Sequence, residues 1–277
     1  MMRSEKRHRR KIMLVTHLNP DLDACVAIWL LKKFVFAEEE CILKFVPMHE
    51  KLQSTEIAGM DEIIYIDTSG GKYDHHSTLD ENICAAILVM KDFSLEKDKA
   101  IRKMVEYVLR VDHGKIFSTD VSAFDLINVI EGLNKVHRHN PELVVHIIEA
   151  CLDGIYISLK QFIEAEKEFE NIIVFKTKWG EGAGIVSSNP KIRYLAHRRG
   201  FKVFIYVDPL QGFRGYTAPG DSDVDFSNLF EKLKNIEPEA DWFLHSSKKL
   251  LLCGSEKAPD RKLSKLSLKR MISLVRE

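Results

Sequence analysis

Apolar and polar positions fall in short alternating blocks along the first half of the chain. Lys11–Thr16 (KIMLVT) is an apolar run that ends in a polar cluster, His17–Asp23. Apolar residues then recur at helical spacing: Ala24, Ala27, Ile28, Leu31 and Phe34. Strand, polar loop and helix in that order belong to an α/β sheet. Cys41–Val46 is a second predicted strand. Glu62–Asp67 (EIIYID) is a third, ending on an acid and then Ser-Gly-Gly. Helical spacing returns over residues 84–92, 96–110 and 123–134. Asn140-Pro141 supplies a cap and a first helical position. The helix it opens runs to about Glu170, charged along one side in its second half (LKQFIEAEKEFEN), as suits an exposed helix bridging two domains.

Beyond that helix the pattern changes. Strands are predicted at Ile172–Lys178, Gly182–Ser187, Lys202–Asp208, Gly212–Thr217, Asp241–His245 and Lys249–Cys253. A short helix falls at Pro190–Arg199, and longer ones at residues 225–235 and 259–276. The fold class expected is α/β in two domains. The first has a parallel sheet with helices on both faces; the second is a smaller α/β domain. The division places residues 1–165 in the first domain, with the bridging helix to about 171, and 172–277 in the second.

Composition narrows the function. Of 277 residues, 45% are hydrophobic and 30% charged, enough apolar matter for two real cores. Lys plus Arg is 41 and Asp plus Glu is 41, so the formal net charge is zero and bulk-charge coating of nucleic acid is disfavoured. Apolar stretches such as Cys25–Leu31 fall far short of the roughly 20 residues that span a bilayer. The basic start, Met1–Lys11, reads as a tail that touches polyanions weakly, with no apolar signal-peptide core behind it. Five scattered cysteines without a CxxC fit reduced thiols, and the expected location is cytoplasmic.

Chemistry concentrates where open α/β sheets place their sites, at the carboxyl ends of strands. The first strand ends in His17-Leu-Asn-Pro-Asp21-Leu-Asp23. The third ends in Asp67, followed by Tyr73-Asp74-His75-His76-Ser77. The helix at 101–111 ends in Val-Asp112-His113-Gly. Each piece alone has an ordinary reading, since Asp and Asn cap helices and fill turns. The joint order does not. Carboxylates and imidazoles without nearby Cys suit Mn2+, with Mg2+ or Co2+ as substitutes. Two such ions, roughly 3.5–4 Å apart, suit in-line phosphoryl displacement.

These residues resemble the DHH phosphoesterase superfamily, whose members include RecJ-like nucleases, cyclic-dinucleotide phosphodiesterases and manganese pyrophosphatases. The likeness runs over about 11–115 and rests on His17/Asp21/Asp23, Asp67, Asp74–His76 and Asp112. It implies one ion held by His17, Asp21 and Asp67. A second would be held by Asp23, Asp67, His75 and Asp112, with Asp67 bridging. It implies a substrate-side or leaving-group role for His76, a supporting role for Asp74, and places His113 by the substrate. Trp242–His245 followed by Gly254-Ser255-Glu256-Lys257 resembles the tail of Myg-type exonuclease-related proteins, although the usual GGGH signature of DHH-associated domains is absent. Residue chemistry reads the same region as a phosphate clamp: Gly254-Ser255-x-Lys257 after a strand and Arg214 between Gly212 and Gly215 offer N–H groups, a hydroxyl and cations, and His245 sits at another strand end. The ordinary reading is surface charge for Arg214 and Lys257 and a core position for His245.

The expected partner is short single-stranded RNA or DNA, or a nucleotide, with no membrane and with room for an oligomer. Phosphodiester hydrolysis is the leading reading. A phosphatase or pyrophosphatase and a non-catalytic nucleotide-binding regulator stay open. Five Lys/Arg and no acid between Lys191 and Lys202, interleaved with Tyr194 and Phe201, read first as a solvated helix face and second as a nucleic-acid track. Asp221-Ser-Asp223-Val-Asp225 lacks the Gly and Glu of a calcium loop and reads as a helix cap. Gly180-Glu-Gly182-Ala-Gly184 reads as a hairpin turn.

Overall fold

The computed structural model describes residues 9–116, 124–258 and 260–276. Most of the basic N-terminal run, residues 1–8, lies outside these, as do residue 123, where a helix was expected to begin, and residue 259, where another was. The chain divides into two compact units, between Leu159 and Lys160. It is a mixed α/β protein with a three-stranded parallel sheet and a six-stranded mixed sheet. Among the described residues, no helix is long and apolar enough to cross a membrane.

The first unit is built on β1 (Lys11–His17), β2 (Glu40–Val46) and β3 (Glu62–Tyr65), ordered β2-β1-β3 with both pairings parallel. The central strand is buried from Ile12 to His17, as a near-continuous apolar run in a parallel sheet requires. Apart from Asp23, helix α1 (Leu22–Leu30) is apolar on every side, and it is buried along its whole length. It packs against α2 (Ala85–Asp92) and α3 (Lys99–Asp112). α4 (Leu126–Val136) follows. Helices were expected on both faces of this sheet. Instead the Met13, Val15 and Val46 face is closed by Leu52, Ile57 and Met60 of the β2–β3 connection. That connection has no helical spacing, yet its scattered apolar residues suffice for a small sheet.

Helix α5 (Pro141–Glu168) carries the division between the units in its second half. Asn140 caps it, its side chain accepting the Leu143 N–H at 3.2 Å. In the second unit β4 (Ile173–Thr177), β5 (Gly180–Val186), β6 (Val203–Val207), β7 (Arg214–Thr217), β8 (Trp242–Leu244) and β9 (Leu250–Cys253) form one sheet, ordered β4-β5-β6-β7-β9-β8. Only β5 and β6 are parallel, and the crossover between them carries α6 (Ile192–Arg198). Alternation along β6 serves two cores. Val203 and Ile205 face a cluster shared with α7 (Ser227–Ile236) and α8 (Leu268–Arg276). Phe204 faces Ile192, Leu195 and Ala196 of α6.

Two expectations need correction here. The last helix begins at Leu268, not near 259. The residues before it run extended because Lys262 N–H donates to Asp241 (2.9 Å) and Ser264 N–H donates to Cys253 Sγ (3.0 Å). The glycines at 182 and 184 lie within β5, and the turn of the hairpin is Lys178-Trp179. A Cβ on Gly182 would sit 2.4 Å from the Phe175 ring, so packing explains that glycine.

Candidate metal centre

The site lies in the first unit, where β1 and β3 deliver side chains at their carboxyl ends. His17 is the last residue of β1. The loop after it closes on Asp21, whose Oδ1 accepts the Ala24 N–H at 3.0 Å and caps α1. Helical geometry then turns Asp23 inward, where it is 2% exposed. β3 stops at Tyr65, before Asp67, because Asp67 adopts a left-handed backbone with φ of 55°. Its N–H is held by Tyr73 O at 2.8 Å, which fastens the Ser-Gly-Gly turn and brings Asp74, His75 and His76 back to the strand end. Left-handed backbone at a non-glycine residue costs on the order of 1–3 kcal/mol and is kept where surrounding structure enforces it.

The side chains converge. Asp67 Oδ2 lies 3.3 Å from His17 Nε2, and Asp67 Oδ1 lies 3.2 Å from His75 Nε2. His75 Nε2 is also 3.7 Å from Asp23 Oδ2 and 3.6 Å from Asp112 Oδ2. The ligand atoms of His17, Asp21 and Asp67 lie within 4.8 Å of one another; so do those of Asp67, His75 and His76, and of His75, Asp112 and His113. Asp74 serves His76: Oδ1 takes the His76 Nδ1 contact at 2.7 Å, and Oδ2 accepts the Gly70 N–H at 2.7 Å. His113 Nε2 is engaged by Ile83 O at 2.9 Å.

Asp23 carries a second duty that its sequence position does not signal. Its Oδ2 accepts the Ala85 N–H at 2.6 Å and its Oδ1 the Ala86 N–H at 2.9 Å. These are the first donors of α2, whose own cap residue, Cys84, offers no side-chain hydrogen bond. An acid 62 residues upstream therefore caps α2.

The electrostatics describe a pocket short of positive charge. Burial, and then the charges of Asp67 and Asp21, push Asp23 well above the ordinary carboxylate range. Burial also raises Asp112. Asp67 moves the other way: burial would raise it, but His17 and His75 together hold it low. Burial pulls His17 down, and Asp67 and Asp21 outweigh that and lift it to about 9. His75 rises to about 9, chiefly through Asp67. Asp67 Oδ1 and His75 Nε2, though 3.2 Å apart, are not aligned as a hydrogen bond, and both buried atoms lack a hydrogen-bond partner among the described residues. Orphaned polar atoms at the meeting point of carboxylates and imidazoles are what a hard or borderline divalent cation would satisfy, so the donor set fits such an ion.

The family model described as ChrB, C-terminal domain, matches residues 14–159, more than half the chain and every residue of this centre. The chain belongs to that family. No curated protein matches it. Membership in the ChrB C-terminal-domain family corrects the resemblance to the DHH superfamily, including its RecJ-like and Myg-type branches. The tripeptide and the acids are present as read. Acids and histidines at strand ends reflect what an α/β site can present, and such sets recur on unrelated lineages.

The clamp residues lie in the second unit and do not all meet. Register pairs Arg214 with Cys253, which puts Arg214 and Gly254 at one edge of the sheet. His245 follows Leu244, which pairs with Leu251, so it stands at the opposite edge, three residues and roughly 10 Å along the strands. The Arg214 guanidinium is spent on backbone, donating to Leu266 O (2.7 Å) and Gly212 O (2.6 Å). A Cβ on Gly254 would lie 2.4 Å from Leu263 and 2.5 Å from Phe213, so packing demands glycine there. Ser255 forms a bridge with Ala258, Lys257 is exposed, and His245 Nδ1 meets Ser247 Oγ at 2.8 Å. In the basic run, Lys191 lies over Phe162 (4.9 Å) and Arg193 over Tyr194 (4.8 Å). Asp225 accepts the Ser227 N–H at 2.8 Å at the start of α7.

Proposed function

We propose that the chain is a divalent-metal-dependent hydrolase of phosphoester bonds, Mn2+ being the ion best suited to its ligands. The reading names phosphodiesters of short single-stranded nucleic acid as substrates. The observation that carries it is the orphaned pair, Asp67 Oδ1 and His75 Nε2, buried where six further ligand-type side chains converge. His17, Asp21 and Asp67 would hold one ion, and Asp23, Asp67, His75 and Asp112 a second. Ions there supply the positive charge that draws a phosphate anion in and acidifies water.

The chain's own residues do the rest. Asp67, kept low by its two histidines, stays a carboxylate and orients both imidazoles. His76 is the most exposed of the histidines that contact Asp67. With Nδ1 tied to Asp74, Nε2 is the ring nitrogen left to pass a proton to the leaving oxygen. The five free cysteines, three of them buried, support a reducing, cytoplasmic setting.

The test is Mn2+ uptake measured beside turnover on dinucleotides, a phosphomonoester and pyrophosphate, for wild type and Asp67→Ala. The expected result is Mn2+-dependent cleavage of dinucleotides, lost by at least about a hundredfold in the variant, with uptake reduced. Activity confined to monoester or pyrophosphate moves the chain to the phosphatase reading. Uptake without turnover on any substrate makes it a binding protein.

A further inference from the structure

Asp21, Asp23 and Asp112 have a second face. Besides meeting the histidines, they line an open cavity of about 360 Å3 bordered by α1, α3, α4 and the Gly114–Ile116 stretch after α3. That volume lies at the lower end of small-molecule sites, about 300–1,000 Å3, and has room for one nucleoside-sized group. Its walls are apolar: Leu22 from α1, Val108 and Val111 from α3, and Ile127 and Ile130 from α4. One further acid lines it, Glu131, which is exposed and has no ion-pair partner among the described residues. A cavity with acids on the ligand side, aliphatic walls and one carboxylate at its mouth fits an uncharged, flat group attached to a metal-bound anion. That group would carry N–H donors for Glu131.

We infer that this cavity takes the nucleobase of the substrate, and that Glu131 favours bases bearing an amino group: guanine, adenine and cytosine. The assignment rests on the hydrolase reading for the attached phosphoester, and the cavity itself stands on its walls. Aliphatic side chains cover both faces of a heterocycle, and the Glu131 carboxylate accepts from its edge. Amino groups are good donors to a carboxylate. Uracil offers at that edge a single N–H flanked by two carbonyl acceptors, which meet the same carboxylate unfavourably. A site built to pair with a donor discriminates strongly against a ligand lacking it, whereas apolar walls alone discriminate weakly.

The experiment uses the full chain. Ligand-observed NMR measures guanosine, uridine and ribose binding to the metal-free protein. With Mn2+ added, turnover is compared on dinucleotides whose reactive end carries guanine, uracil or no base. Guanosine is expected to bind at least about tenfold more tightly than uridine, with ribose undetected, and turnover should follow the same order. Ile127→Trp, which fills the cavity, should abolish guanosine binding. Val111→Trp, from the facing helix, serves if the first variant fails to melt cooperatively. Glu131→Gln should bring guanosine down to the uridine level and leave the preference over ribose. Guanosine binding that survives both tryptophan variants, or that equals ribose binding, overturns the assignment. A protein that binds guanosine in an Ile127-sensitive way yet cleaves nothing overturns the hydrolase reading and leaves the cavity assigned. Equal turnover with and without a base does the reverse.

Discussion

Replacing Asp23 by alanine should unfold more than it disarms. In metal-free buffer the carboxylate satisfies two buried donors, Ala85 N–H at 2.6 Å and Ala86 N–H at 2.9 Å. Hydrogen bonds to a charged group contribute about 1.5–3 kcal/mol each, and a buried donor left unpaired costs about 1–3 kcal/mol. Two donors give a loss of about 2–6 kcal/mol. Part of that is returned, because burial and then the charges of Asp67 and Asp21 disfavour the Asp23 carboxylate. A net loss near 3 kcal/mol is expected, which for a unit of this size lowers the melting temperature by about 6–12 °C. Asp112→Ala is the control. Asp112 contacts the same His75, at 3.6 Å, but among the described residues no backbone N–H donates to its carboxylate; its metal-free loss should stay under about 1 kcal/mol. Both variants should take up one Mn2+ fewer than wild type. The assay is thermal and urea unfolding in chelator, followed by the same scans with Mn2+. Wild type should gain more stability on metal addition than either variant. An Asp23→Ala protein that melts within about 1 °C of wild type in chelator would refute the capping role. Equal losses for Asp23→Ala and Asp112→Ala would refute the division between them.

His75→Ala should lose metal, whereas His76→Ala should keep it and lose turnover by about a hundredfold or more, read by metal analysis beside rate; loss of metal in both would reverse the roles. His197 is held below its ordinary value by burial, with its Nε2 on Thr217 Oγ1 at 2.9 Å. A base depressed on folding adds stability that is complete above about pH 6.5 and lost as pH falls through the folded value; His197→Gln should flatten unfolding free energy over that range. Trp29, 2% exposed, donates its ring N–H to Asp153 at 2.8 Å. Asp153→Ala should cost about 1–2 kcal/mol and shift Trp29 emission, and an unchanged spectrum would count against that bond.

The parts of the fold that were legible are those whose cause is local. The run KIMLVT, the polar turn and the apolar helix after it gave β1 and α1 because strand, loop and helix each leave a short-range period. His17 and Asp67 were legible as site candidates because strand ends are where such sheets expose side chains. What was not legible depends on distant partners. Nothing near Asp23 says that its carboxylate caps a helix 62 residues on. Ile127 and Glu131 look like any positions on an amphipathic helix until α3 faces them. The expected helix from 259 failed because Asp241 and Cys253, neither near in sequence, hold the segment extended. His245 was grouped with Arg214 by residue type and strand-end placement, and strand register separates them. Lineage was least legible of all, since ligand types record chemistry and not descent.

Helix α5 has two separate footings. Val144, Val145, Ile148, Leu152 and Tyr156 are buried in the first unit; Ala165 is buried in the second, followed by Phe169 in the turn after the helix. Residues 157–164 between them include no fully buried side chain, and both the family match and the first unit end there, at Leu159. Those two turns keep their backbone bonds, and their tertiary packing is concentrated at Gln161 and Phe162, which meet Asn189 and the second unit's cluster. Amide exchange along α5 should therefore be slow at 144–156, faster at 157–164 and slow again at 165–169. One unbroken helix would then open as two units of independent stability, with its weakest amides in the middle where a helix is ordinarily strongest.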